Sequence, residues 1–103
     1  MKKIRVLEKL PGELPTAKCL DVSHTALTEY FCGEYDVIQF TTDIAIIFPE
    51  RGRREGFPFN FSVGMAFYGP ALFTGLQFGE LTSISDIREE WLTKREFWSV
   101  CRG

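Results

Sequence analysis

Four consecutive apolar residues, Ile44-Ala45-Ile46-Ile47, stand between Asp43 and Pro49. Successive residues of a strand point to opposite sides of its sheet. A strand without a polar side is therefore central, covered on both faces, or covered on one face and roofed by a loop on the other. Isoleucine suits the pleated conformation, and Pro49 ends the run because it has no amide hydrogen for a ladder. The apolar stretch over residues 44–49 is the longest in the chain. It has the length of a strand and is far short of the roughly 20 residues that a membrane span needs.

That central strand requires neighbours. Residues 35–40 form the nearest one, joined to it by Thr41, Thr42 and Asp43 in a hairpin whose turn lacks glycine. Residues 2–7 alternate, with Ile4 and Val6 against Lys3 and Arg5, and predict a strand with one apolar face. Pro11, Gly12 and Pro15 mark a loop, and a short strand is expected over 16–20. Residues 57–63 alternate with period two, but Pro58 places them on an edge or in an extended loop. Gly64, Gly69 and Pro70 break the chain after this segment. Residues 71–76 predict another strand, and Gly75 and Gly79 bracket a tight return.

Two segments are predicted to be helical. Asp21 or Ser23 can cap a helix over 24–32, in which Leu27 and Phe31, like Ala26 and Tyr30, are four apart and form an apolar stripe. Gly33 stands where a left-handed C-terminal residue is wanted. Ser85 caps a second helix running to about residue 100, with Asp86, Glu89 and Glu90 near its positive end and Lys94, Arg95 and Arg102 toward its negative end. Ile87, Trp91, Arg95 and Trp98 lie along one side of it, with Leu92 beside them. The expected fold is α+β: a mostly antiparallel sheet of about five or six strands with two helices packed on one face.

A chain of 103 residues makes one domain, spanning 1–103, and buries roughly two-thirds of its unfolded surface. Ten Phe, two Trp and three Tyr supply large core side chains. The Met-Lys-Lys start is followed by no apolar run, so no secretory leader is expected. Cys19, Cys32 and Cys101 are odd in number and widely spaced. They read as buried reduced thiols of a cytoplasmic protein rather than a disulfide framework.

The chemistry-bearing residues are sparse. His24 is the only histidine, and a Cys–His nucleophile pair would need Cys19 or Cys32 within hydrogen-bond reach. Cys32 would lie roughly 12 Å along a helix from it. Glu89 and Glu90 are adjacent on a helix and point apart. No ligand spacing for a metal and no strand–glycine loop–helix unit for a phosphate is present. No catalytic residue, metal or cofactor is expected, and the chain reads as non-enzymatic. A net charge of −2 provides no global attraction to nucleic acid or to an anionic membrane.

The local exception is Arg51-Gly52-Arg53-Arg54, followed by Phe57, Phe59 and Phe61. Arginines beside exposed aromatics can hold single-stranded nucleic acid by charge and stacking. The alternative is a solvated hairpin tip, tempered by Glu50 and Glu55, with the phenylalanines buried. The exposure of the phenylalanines decides between them. The candidate binding residues are Arg51, Arg53, Arg54, Phe57, Phe59 and Asn60.

Several short motifs carry a resemblance. Asp36-Val37-Ile38-Gln39-Phe40, Ile44-Ala45-Ile46-Ile47, Gly52, Gly56-Phe57-Pro58-Phe59-Asn60, Tyr68-Gly69-Pro70-Ala71 and Leu81-Thr82-Ser83-Ile84-Ser85-Asp86 together resemble the domain of unknown function 3846 family. The likeness covers about residues 2–90. The chain departs from it at Phe57-Pro58, where Leu-Pro is usual, and in its basic tip. The resemblance implies an accessory protein of a phage or conjugative element of gut bacteria, from a setting of antirestriction and mobilisation genes. It brings no assigned activity. Asn60 and Gly69 match its recurrent positions. A protein partner is therefore expected, within a defence-countering role, and nucleic acid bound at the basic loop is the alternative. An edge strand can also pair across a two-fold axis to give a homodimer.

Overall fold

The computed structural model describes residues 2–100. Eight strands and three helices follow one another: β1 (Lys3–Lys9), β2 (Thr16–Asp21), α1 (His24–Phe31), β3 (Tyr35–Thr41), β4 (Ile44–Pro49), β5 (Phe59–Ser62), β6 (Ala66–Tyr68), β7 (Ala71–Gln77), β8 (Glu80–Thr82), α2 (Asp86–Thr93) and α3 (Arg95–Val100). Six strands form one antiparallel sheet in the order β2-β1-β7-β4-β3, with β8 continuing along β7 beyond β1. β5 and β6 form a separate hairpin. The fold is α+β, as expected.

The register places the all-apolar strand at the centre. Ile46 lies opposite Phe73 and Ile47 opposite Leu72, while Leu7 flanks Phe73 from the other side. Residues 44–47 are all buried completely. Alternation then divides the core into two. Leu7, Ile44, Ile46 and Phe73 pack with Phe61, Phe67, Leu92 and Trp98. Val6, Ile47 and Leu72 pack with Leu27 and Phe31. The helices therefore do not share a face: α2, α3 and the β5–β6 hairpin cover one side, and α1 covers the other. The expectation of a one-sided arrangement fails because β4, β7 and β1 each carry consecutive apolar residues, so both faces need a cover.

Other differences are local. The first strand runs two residues further than expected, to Lys9. Ser23 caps α1 by accepting from the Ala26 amide, while Asp21 accepts from the Ser23 amide instead. The left-handed turn ending α1 falls on Cys32 (φ 55°), one residue before Gly33. β6 and β8, three residues each, are too short to read from a pattern. The C-terminal helix is two helices, because Lys94 is extended between them (ψ 133°). Ser85 caps the first, its hydroxyl accepting from the Arg88 amide. The break lets Trp98 turn into the core, while Leu92 is fully buried and Ile87 is 79% exposed. The expected stripe is thus rotated away from Ile87. Cys19 and Cys32 are exposed and free, not buried; Cys101 and Arg102 lie outside the described residues.

Candidate functional site

The residues that stand out in the sequence do not act together. Arg51 is only 16% exposed at its side chain. One of its terminal nitrogens donates to the Phe31 and Cys32 carbonyls, both at 2.9 Å, and the other to the Glu34 carbonyl at 3.3 Å. The Phe31 and Cys32 carbonyls are acceptors left at the C-terminal end of α1, whose last turn has no basic residue of its own; the Glu34 carbonyl, beyond the helix, accepts from the Glu50 amide as well. A planar guanidinium fits such a cluster of carbonyls, and its charge opposes the negative end of the helix dipole. Nε donates to Glu55 at 2.9 Å, and the guanidinium lies 5.5 Å from the Phe57 ring centre. Arg51 is thus a cap, not a free anion receptor.

Arg53 and Arg54 differ from it. Both are exposed, and among the described residues neither forms an ion pair. The turn that carries them rests on the β5–β6 hairpin at Gly52. A Cβ there would come within 2.6 Å of the Tyr68 carbonyl oxygen, so any side chain would push the turn away. Tyr68 in turn meets Phe59 edge to face at 5.7 Å. Phe59 is 41% exposed, Phe57 half-buried and Phe61 2% exposed. One phenylalanine of the three therefore stays accessible, on the hairpin against which the turn carrying the two unpaired arginines rests.

Asn60 turns the other way, into the protein. Its Nδ2 donates to the Lys9 and Gly69 carbonyls, each at 2.8 Å, and its Oδ1 accepts from Lys9 Nζ at 2.8 Å. Nζ donates also to the Leu10 carbonyl at 2.9 Å and stands 5.3 Å from the Trp98 ring centre. Lys9 is 5% exposed, yet no carboxylate among the described residues lies within 4.0 Å of it. Burial lowers its pKa, against a weaker upward pull from Glu13. An open cavity of about 410 Å³ adjoins this group. Sequence reading ends the strand before Lys9 and misses the residue, since nothing near it in the chain marks a buried ammonium; its partner is Asn60, 51 positions away.

Glu8 is buried on the α1 face of the same strand. Burial pushes its carboxyl up, but hydrogen bonds from Lys18 and Tyr30 outweigh that and hold it below the ordinary value. Tyr30 is raised by burial and by Glu8.

The elements of a nucleophile pair do not converge on His24. Its Nδ1 shares a 2.9 Å hydrogen bond with the Tyr35 hydroxyl, and the Cys32 thiol is directed to the Glu29 carbonyl. Among the described residues no group of three or more His, Cys, Asp or Glu is placed to hold a metal ion. None of the helices there is long and apolar enough to cross a membrane. No family model, no curated protein and no solved structure matches the chain.

Proposed function

We propose that the chain is a non-enzymatic binding module whose partner is a protein carrying an acidic segment, held against Arg53, Arg54 and Phe59. The observation behind this reading is the division of labour in the basic turn. Arg51 and Gly52 fix the turn to α1 and to Tyr68, and the two remaining arginines are displayed with no ion pair among the described residues. Arginine and aromatic side chains are the residue types that dominate protein interfaces, and with the turn held in place the ordering cost that remains is that of the two arginine side chains. The family resemblance adds the setting: an accessory protein of a mobile element, acting on a host or element-encoded protein to counter a defence system.

A second reading takes the same residues as a contact for single-stranded nucleic acid. It is favoured by Phe59 lying beside Tyr68, two rings on which bases could stack. The acidic-protein reading is preferred because Phe61 is buried and Phe57 lies under Arg51, which leaves few rings for bases to stack on.

Fluorescence anisotropy with a labelled glutamate-rich peptide and a labelled oligothymidine tests both at low salt. The peptide is expected to bind, with affinity reduced about tenfold or more in the Arg53→Ala/Arg54→Ala variant. Preference for the oligothymidine, with a steep salt slope, would select the second reading. Failure of both probes would remove the basic turn as a binding surface.

A further inference from the structure

Lys9 and the cavity beside it form a second site, and its case is independent of the basic turn. A lysine at 5% exposure is rare unless it is paired. Here, among the described residues, the pairing is with neutral oxygens, those of Leu10 and Asn60. Three N–H bonds radiate from an ammonium and these partners use two of them. Among the described residues no carboxylate lies within 4.0 Å of the positive charge, and a buried charge without a close counter-charge is costly.

The position is held from several directions. Asn60 is 9% exposed, and both hydrogens of its amide are fixed by carbonyls, so its oxygen has one orientation and meets the ammonium. Trp98 closes the other side, its ring nitrogen donating to the Leu92 carbonyl. The lysine head is therefore placed before any ligand arrives, which spares a ligand the cost of ordering it.

The walls of the cavity define what fits. Arg95, on the first turn of α3, and Ser99, one turn later, contribute a second cation and a hydroxyl. Leu14, Phe61 and Trp98 supply apolar surface. Glu13 is the acid on the rim, and it acts on Lys9 only through space. The volume of about 410 Å³ belongs to the lower range of small-molecule sites.

We propose that this cavity binds a small organic carboxylate with a compact aromatic or aliphatic body. The carboxylate would accept from Lys9 and Arg95, and the body would lie on Leu14 and Trp98. A carboxylate accepts several charge-assisted hydrogen bonds in one plane, and supplies the missing negative charge. Glu13 competes for the same cations and sets an upper limit on affinity.

The test is a titration of the whole chain with phenylacetate, hexanoate, inorganic phosphate and the neutral analogue 2-phenylethanol. It is read by the NMR signals of the Asn60 side-chain amide and the Trp98 indole. Phenylacetate or hexanoate should shift both signals saturably, and 2-phenylethanol should not. Lys9→Met should weaken binding at least about tenfold. Glu13→Gln should strengthen it a few-fold, and since Glu13 is exposed this variant keeps the test decisive if Lys9→Met does not fold. Arg53→Ala/Arg54→Ala should leave the titration unchanged, which separates this site from the basic turn. Absence of saturable shifts with either carboxylate, equal binding of the neutral analogue, or tighter binding of phosphate would overturn the proposal.

Discussion

Two neighbouring residues of β1 carry opposite buried charges to opposite faces of the sheet. Glu8 meets Lys18 and Tyr30, whereas the hydrogen-bond partners of Lys9 among the described residues are neutral. Their contributions to stability must therefore depend on pH in different ways. Glu8 has its pKa lowered by folding, so its contribution is full above the ordinary value of 4.5 and is lost as pH falls through the folded value. Lys9 is also lowered, but for a base this means that the folded state binds its proton less tightly than the unfolded one. The cost is present at neutral pH and below, and is relieved as pH rises toward 10.5. Urea denaturation of Lys9→Met and the native protein between about pH 7 and pH 10 should show the native protein gaining on the variant as pH rises. A pH-independent difference would mean that folding leaves the proton affinity of Lys9 unchanged. At the same scale, Arg51→Ala leaves the Phe31 and Cys32 carbonyls at the end of α1 without their side-chain donor. It should cost about 1–3 kcal/mol, with incomplete rescue by Arg51→Lys because one ammonium cannot span the carbonyls as the fork does. Arg53→Ala should cost about 0.5 kcal/mol or less.

Elements made by local rules are legible in the residues, and elements made by distant contacts are not. The β3–β4 hairpin, the Ser23 and Ser85 caps and the strand beginning at Ala71 follow from alternation, capping and proline. The break at Lys94 has no glycine or proline to announce it. It exists because Trp98 must reach Phe61 and Phe73, with ring centres 5.1 and 5.6 Å away. The basic run looks like one site because arginine character is local, while the carbonyls that claim Arg51 lie 17 to 20 residues away. Asn60 stands out in the sequence, yet its surroundings cannot be read without Lys9. The β7–β8 hairpin shows local rules broken in the folded chain. Gln77 pairs with Glu80, leaving Phe78 and Gly79 as a two-residue turn with φ of 52° and 78°. Glycine accepts such angles, but phenylalanine does so poorly, and this one is 95% exposed with no packing in return. Phe78→Asn places a residue suited to that turn. It should stabilise by about 1 kcal/mol, seen as a rise of roughly 4–8 °C in the thermal midpoint. An unchanged or lower midpoint would show that the phenylalanine carries no strain.

For the molecule as a whole, the two-faced sheet decides how the parts depend on each other. Both described tryptophans, Trp91 and Trp98, lie on the α2–α3 side, and α1 is anchored on the other side by Leu27 and Phe31, 2% and 3% exposed. The faces share no side-chain cluster, but they share β4 and β7, whose successive residues serve each in turn. Loosening one face therefore removes half the packing that holds the common strands. Leu27→Ala should destabilise by about 2–4 kcal/mol through lost burial and the cavity it leaves. The informative measurement is where the loss is seen. If the sheet couples the layers, tryptophan fluorescence, which reports on the far face, and far-ultraviolet circular dichroism should shift to the same lower urea midpoint with unchanged slope. A fluorescence transition that stays at the native midpoint while the dichroism falls early would mean that α1 detaches alone. The two covers would then be independent additions to the sheet rather than halves of one cooperative unit.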